Sequence, residues 1–218
     1  MNFPHQLNNV DLPNKWESLT SKQQIIKINA WKIHMLITGT VIEIYPGHKH
    51  PHVNRLLGPG DIFPLYLPSN LTSYSAIDSP YTYQVTVWWK LVSIPTKDFV
   101  ALLRTSTDLT MKYMQYVASV LQIAEKRIEN KVFLSAEQSL VQLLLDLANN
   151  EQFGKNLSGQ MLIKCWLTQQ YLASLAWCSR QTVTTVLNDL NKRWLLGYER
   201  GRILIYDTEK LQKYLKNV

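Results

Sequence analysis

Leu167–Leu190 reads LTQQYLASLAWCSRQTVTTVLNDL. Thr168 is a favourable helix N-cap, and Leu172, Ala173 and Leu175 follow it at helical spacing. Ala176-Trp177-Cys178 interrupts the pattern. Ser179 then supplies a second N-cap, and Val183, Val186, Leu187 and Leu190 line one face of the helix after it. Two short helices joined by a three-residue turn form a helix-turn-helix. The second helix leaves Arg180, Gln181, Thr184, Thr185 and Asn188 on the face opposite its apolar stripe. Such a helix places its N-terminal end in the DNA major groove. There an Arg can fork to guanine O6/N7 and a Gln can pair with adenine N6/N7. Thr168, Ser179 and Thr182, with the helix N-terminal amides, suit phosphate oxygens.

Working outward, Leu195–Tyr198 and Ile203–Tyr206 read as two short strands around Glu199-Arg200-Gly201-Arg202. The result is a tight basic hairpin, or wing, with Arg200 and Arg202 placed for backbone contacts. Residues 161–218 carry nine Lys/Arg against four acids, a net of +5 out of +7 for all 218 residues. The basic excess alone fits nucleic acid, an anionic membrane surface or nothing in particular. Its concentration around the helix pair and wing directs it to DNA.

Apolar residues make up 46% and charged residues 18%, which excludes a disordered or collagen-like chain. The two cysteines, Cys165 and Cys178, exclude a disulfide scaffold, a four-Cys zinc site and a one-chain iron–sulfur cluster. Both read as packed thiols. No apolar run approaches the 18 residues of a spanning helix, and MNFPHQLNNVDLPNKW lacks a signal-peptide core. The expected location is therefore cytoplasmic, with no membrane partner.

Residues 1–105 read as a β-rich domain, with strands over Trp31–Ile37, Thr40–Tyr45, Val53–Leu57, Tyr81–Trp89 and Lys90–Ile94. Short strands and frequent turns suggest a sandwich or barrel. Pro64, Pro68, Pro80 and Pro95 argue against long helices there. In residues 106–132, Leu109, Tyr113, Tyr116, Val120 and Ile123 are spaced 4, 3, 4, 3. A helix packed on its own domain could carry this stripe, but its regularity favours a two-chain coiled coil, making the chain a homodimer. Residues 133–218 form the DNA-reading domain. Within it, Ser135 and Gln138 resemble a capping box ahead of Leu140, Leu143, Leu144 and Leu147, and Asn149–Gly159 reads as a polar loop. The fold class is α+β.

The order Leu167-Thr168, Leu172-Ala173, Ser179-Arg180, Thr182-Val183, Leu187, Leu190, Leu195-Leu196, Gly201, Ile203, Ile205, Asp207 resembles the winged helix-turn-helix of the CRP/FNR family of bacterial transcription regulators. Upstream, Met35–Val41 and Leu56–Phe63, with its Gly58-Pro59-Gly60-Asp61 turn, resemble the family's sensor roll more weakly. The resemblance implies an N-terminal, jelly-roll-like β-roll sensor, a long dimerisation helix and a C-terminal winged helix-turn-helix. It also implies a two-fold DNA operator as partner, and RNA polymerase where binding activates.

The departures bear on the effector. Cyclic-nucleotide-binding members carry Gly-Glu after this turn and an Arg soon afterwards, whereas here Pro64-Leu65 follows and no Arg occurs between Arg55 and Arg104. A buried phosphate without a cation is costly, so no response to cyclic AMP is expected. The chain also lacks the N-terminal Cys cluster of the oxygen-sensing members. The effector itself is left open. Trp177 and Trp194 stand where the family has glycine. If positive φ persists at Trp177, the bulky residue is strained by roughly 1–2 kcal/mol; otherwise the turn takes another shape and shifts the recognition helix slightly. Thr185 stands where many members carry an Arg.

Two other functions compete with a DNA-binding regulator. A ligand-independent regulator controlled through protein partners fits the missing nucleotide residues. A metal-binding β-barrel enzyme with a DNA-binding appendage rests only on His48, His50 and His52. Imidazoles so clustered could hold a metal, but the segment reads as a solvated hairpin tip. No carboxylate or later His completes a barrel metal site. No catalytic site is expected.

Overall fold

In a computed structural model of the chain, the described residues are 17–21, 25–26, 32–46, 52–65, 81–85, 89–164, 167–199 and 201–217. They form two compact units, Met1–Ala124 and Glu125–Val218.

The first unit is a roll of two antiparallel four-stranded sheets. One has the order β1 (Glu17–Ser21), β8 (Trp89–Pro95), β3 (Lys32–Thr38), β6 (Ile62–Phe63). The other runs β2 (Ile25–Ile26), β7 (Thr82–Val85), β4 (Val41–Tyr45), β5 (His52–Leu57). The strands lie within a residue or two of the expected segments, with one correction. Tyr81–Trp89 is not a single strand: β7 covers Thr82–Val85, and Trp89 opens β8, paired with Ser21. Residues 86–88 lie outside the described residues.

Strand alternation divides the core of this unit in two. From β3, Ile33 and Met35 pack with Ile62, Ile94, Phe99, Leu109 and Tyr113. Leu36 points the other way and joins Val41, Leu57, Phe63, Tyr83, Trp89 and Leu91 inside the roll. His34 is also buried; its Nδ1 is 2.7 Å from Ser93 Oγ, and its ring lies 5.5 Å from that of Phe63.

The prolines do not prevent a helix after β8. Pro95 is the N-cap of α1 (Thr96–Thr105), a position where a missing N–H costs nothing. The long helix α2 (Thr107–Phe133) follows. Here the expected dimer seam is corrected at Leu109 and Tyr113. Leu109 and Tyr113 are buried in the roll's own core, at 2% and 8% exposure. The Tyr116 hydroxyl accepts from Ile62 N at 3.0 Å and lies 3.1 Å from Asp61 Oδ1. Val120 is half-buried and Ile123 is exposed. The apolar side chains left in solvent include Met114, Val117 and Leu121. With Thr110 and Ala124 they repeat the expected register exactly one residue later, about 100° around the helix.

In the second unit, α3 (Ala136–Asn149) starts at Ser135, whose side chain and that of Gln138 form the expected reciprocal cap. Its Leu140, Leu143, Leu144 and Leu147 are all buried. The polar stretch after it is not all loop: β9 (Gly154–Leu157) pairs with β10 (Gln160–Ile163). Lys155, Asn156 and Leu157 are exposed on this edge strand, so no apolar alternation marks it. Gly154 is required there because a Cβ would lie 1.8 Å from the Ala148 carbonyl oxygen. The sheet has the order β11 (Leu196–Glu199), β12 (Arg202–Ile205), β10, β9. Helices α4 (Gln169–Leu175), α5 (Arg180–Lys192) and α6 (Thr208–Asn217) complete the unit. Among the described residues, no helix is long and apolar enough to cross a membrane.

Candidate nucleic-acid interface

The helix pair forms because both of its starts and both of its ends are specified locally. Thr168 Oγ1 accepts from Tyr171 N at 3.2 Å and starts α4. Ser179 Oγ accepts from Thr182 N at 3.0 Å and starts α5. Each cap occupies an amide that the helix cannot satisfy internally.

Both helices end in the same Schellman motif. Cys178 N donates to Ala173 O at 2.9 Å and Trp177 N to Ser174 O at 3.3 Å. One helix later, Leu195 N donates to Leu190 O and Trp194 N to Asn191 O, each at 3.0 Å. The motif places its C′ residue in the left-handed region, usually as glycine. Here Trp177 and Trp194 occupy it, both with φ of 56°. The strain expected at Trp177 is therefore present and its turn keeps the glycine-like shape, and Trp194 shows the same backbone, which the sequence reading did not anticipate. Trp194 is 79% exposed. Trp177 is covered on one face by Lys131, whose Nζ lies 4.1 Å from the ring centroid.

Helix α5 buries Val183, Val186, Leu187 and Leu190. Arg180, Gln181, Thr185 and Asn188 are exposed on the opposite side, and Thr182 is half-buried on the flank. They form one polar face of donors and acceptors beginning at the helix N-terminus, where backbone amides add positive potential. Three expected contact residues have prior engagements. Ser179 shares a 2.8 Å hydrogen bond with Thr182 Oγ1. Thr184, also half-buried, is not part of the open face: its hydroxyl lies 2.8 Å from Gln169 Oε1 and 3.0 Å from the Arg180 carbonyl oxygen. Sequence reading missed Gln169, although its place directly after the Thr168 cap, facing the helix pair, was a usable clue.

The far end of α5 is fixed by α3 and α6. The Tyr214 hydroxyl contacts Glu137 and lies 3.1 Å from Asp189 Oδ2, which also accepts from Arg193 Nε at 2.7 Å. Burial, then the hydrogen bond and charge of Glu137, hold the Tyr214 phenol above its ordinary value, so it remains a donor.

The wing strands pair as expected, up to Glu199 opposite Arg202, and Gly201 beside Arg202 has φ 81°. Arg202 is exposed at the start of β12, beside the tip rather than at it. Arg200 lies outside the described residues, as do Cys165, His48 and His50. His52 opens β5 and pairs with Tyr45. Cys178 is a free, half-buried thiol pushed up by burial.

In the roll, Arg55 does not offer an open cation. It grips both oxygens of the buried Glu43, Nε at 3.0 Å and Nη2 at 2.8 Å. Burial opposes its charge, but the hydrogen bond and charge of Glu43 outweigh that and hold its pKa above the ordinary value. The Gly58–Asp61 turn is closed by Asp61 Oδ2, which accepts from Gly58 N at 2.7 Å. A nucleotide phosphate needs a free cation or a nest of amides, and Pro64, Leu65 and a neutralised Arg55 do not supply one.

Comparison with known proteins gives this geometry a context. Residues 138–214 match the Crp-like helix-turn-helix domain. The cAMP-activated global transcriptional regulator CRP of Salmonella typhimurium is 29% identical over 119 residues, 55% of each chain. That match spans about half the length of this curated relative. The CRP-like cAMP-activated global transcriptional regulator of Mycobacterium tuberculosis is 22% identical over 188 residues, 84% of this chain and 79% of that one. Among solved structures, a CooA mutant from Carboxydothermus hydrogenoformans superposes with a TM-score of 0.77 at 16% identity, covering 99% and 96% of the two chains. A CRP/FNR-family transcriptional regulator from Thermus thermophilus superposes with a TM-score of 0.68 at 18% identity, covering 92% and 98%.

Proposed function

From the match of residues 138–214 to the Crp-like helix-turn-helix domain and the similarity of the fold to CRP/FNR-type regulators, we propose that this chain is a homodimeric transcription regulator of the CRP/FNR type that reads a two-fold operator in double-stranded DNA. The observation that carries this reading is the exposed face of Arg180, Gln181, Thr185 and Asn188 on a helix whose other side is fully buried. The net +5 of residues 161–218 supports it. Arg180 and Gln181 read base edges, while Thr168, Ser179, Thr182, Arg200 and Arg202 hold the phosphate backbone. The function is regulation rather than catalysis, in the cytoplasm, where the chromosome is.

The second copy docks along α2 through Met114, Val117, Leu121 and Ala124, the stripe that the roll leaves exposed. Two recognition helices then meet half-sites about 34 Å apart. RNA polymerase is the further partner where binding activates. Cyclic AMP is not the effector in the manner of the nucleotide-binding members, because Pro64-Leu65 stands where they carry Gly-Glu and, among the described residues, Arg55 is held by Glu43.

Selection of bound sequences from random duplex DNA tests the reading, with an inverted repeat expected. Arg180→Ala should cost about 1–3 kcal/mol and relax one base pair per half-site. Arg202→Ala should weaken all sequences and flatten the salt dependence. Equal losses on selected and random DNA for Arg180→Ala would refute base reading. Leu121→Arg should give a monomer in sedimentation, whereas Leu109→Ala should cost stability without splitting the dimer. Calorimetry showing micromolar cyclic AMP binding would overturn the effector statement.

A further inference from the structure

Gln169 and Thr184 bridge the two helices at the edge of the reading face. Thr184 is one turn beyond Arg180 and one turn before Asn188 on α5, so the three share a stripe. Gln169 is the first residue of α4, and its Oε1 lies 2.8 Å from the Thr184 hydroxyl. The hydroxyl has a single proton, with Gln169 Oε1 and the Arg180 carbonyl at 3.0 Å as its acceptors. That contact engages the oxygen end of the Gln169 amide and restrains the side chain. Its Nε2 end keeps two donors, next to the stripe that begins at Arg180. A side chain fixed by a neighbour loses less rotamer freedom on binding than a free one.

Building on the DNA-reading function above, we propose that Gln169 is a specificity-determining residue, oriented by Thr184, whose Nε2 donates to a base-edge acceptor at the flank of the site read by Arg180. Thr184 is the positioning residue and touches no base. An amide presenting only donors favours guanine O6/N7, adenine N7 or thymine O4, and disfavours a cytosine N4 amine.

The experiment is sequence selection from random duplex DNA with the full chain and with three variants, followed by salt titrations on the wild-type consensus. Thr184→Val removes the hydroxyl at nearly constant volume, and Gln169→Ala removes the reader. Both should lower affinity for the consensus about 3- to 10-fold, the loss of one neutral hydrogen bond. Both should broaden the same single position in each half-site and leave the salt slope unchanged. Gln169→Glu keeps the oxygen that Thr184 requires but replaces the outward donors with a carboxylate. It should shift that position toward cytosine. An unchanged consensus in both Thr184→Val and Gln169→Ala would overturn the assignment. A uniform loss with a flattened salt slope would identify a phosphate contact and overturn it equally. A wild-type chain that enriches no sequence would instead remove the DNA-reading function on which the assignment rests.

Discussion

Replacing Trp194 by alanine and by glycine isolates the backbone strain of the helix-turn-helix from every side-chain contact. Trp194 is the C′ residue of α5, with φ of 56° and 79% of its surface exposed. Alanine and glycine remove the same indole contacts, so their difference reports the backbone alone. An L-residue in the left-handed region costs roughly 1–2 kcal/mol, which glycine escapes. Glycine gives back about 0.5–1 kcal/mol through its more flexible unfolded chain. The glycine variant should therefore be more stable than the alanine variant by about 1 kcal/mol. Inside a helix the order is reversed: at Asn188, on the exposed face of α5, alanine should exceed glycine by about 1 kcal/mol. Urea unfolding followed by far-ultraviolet circular dichroism measures both pairs. With m near 1–3 kcal/mol/M, the midpoint should move by roughly 0.3–1 M with unchanged slope. An alanine variant at 194 as stable as the glycine variant would refute the strain argument.

At Trp177 the same substitutions also remove the Lys131 contact at 4.1 Å, and a double-mutant cycle between Lys131→Ala and Trp177→Gly should give a coupling of about 0.5–1 kcal/mol. Additive losses there would show that the cation does not stabilise the ring. His34 is pushed down to about 4 by burial, with the Lys32 charge acting the same way. The unfolded chain takes up a proton near pH 6.5 that the folded chain resists until about pH 4. The stabilisation from neutral His34 is thus complete above pH 6.5 and lost toward pH 4, amounting to about 3 kcal/mol. His34→Gln should flatten the urea-midpoint profile over that window, and an unchanged profile would assign the acid sensitivity elsewhere. Arg55→Met should cost about 3–5 kcal/mol by leaving the buried Glu43 carboxylate without its cation, although Asn54 still donates to it, while Glu43→Leu with Arg55→Met should recover most of it. A double variant as unstable as the single one would mean that the pair itself, rather than the orphaned charge, carries the stability.

Features that depend on a few neighbouring residues were readable in the chain. The caps at Ser135, Thr168 and Ser179, the apolar stripes of α3 and α5, and the Gly201 turn each lie within one helical turn or one hairpin, so their chemistry is complete in a short window. The edge strand β9 was not readable. Its exposed Lys155 and Asn156 carry no alternation, and only the approach of the Ala148 carbonyl explains why Gly154 stands there. Thr184 read as a free contact because it lies on the polar side of α5; only the packing of α4 brings Gln169 to its hydroxyl.

The long helix marks the boundary between the two kinds of information. Sequence by itself determined that α2 is helical and carries a heptad of apolar residues. It could not determine which face meets the roll, because α2 carries two such stripes one residue apart. Leu109 and Tyr113 are buried only because Ile33, Met35, Ile62, Ile94 and Phe99, from distant parts of the chain, assemble a surface for them. Periodicity records that a face is apolar, whereas the partner of that face is a property of the folded molecule.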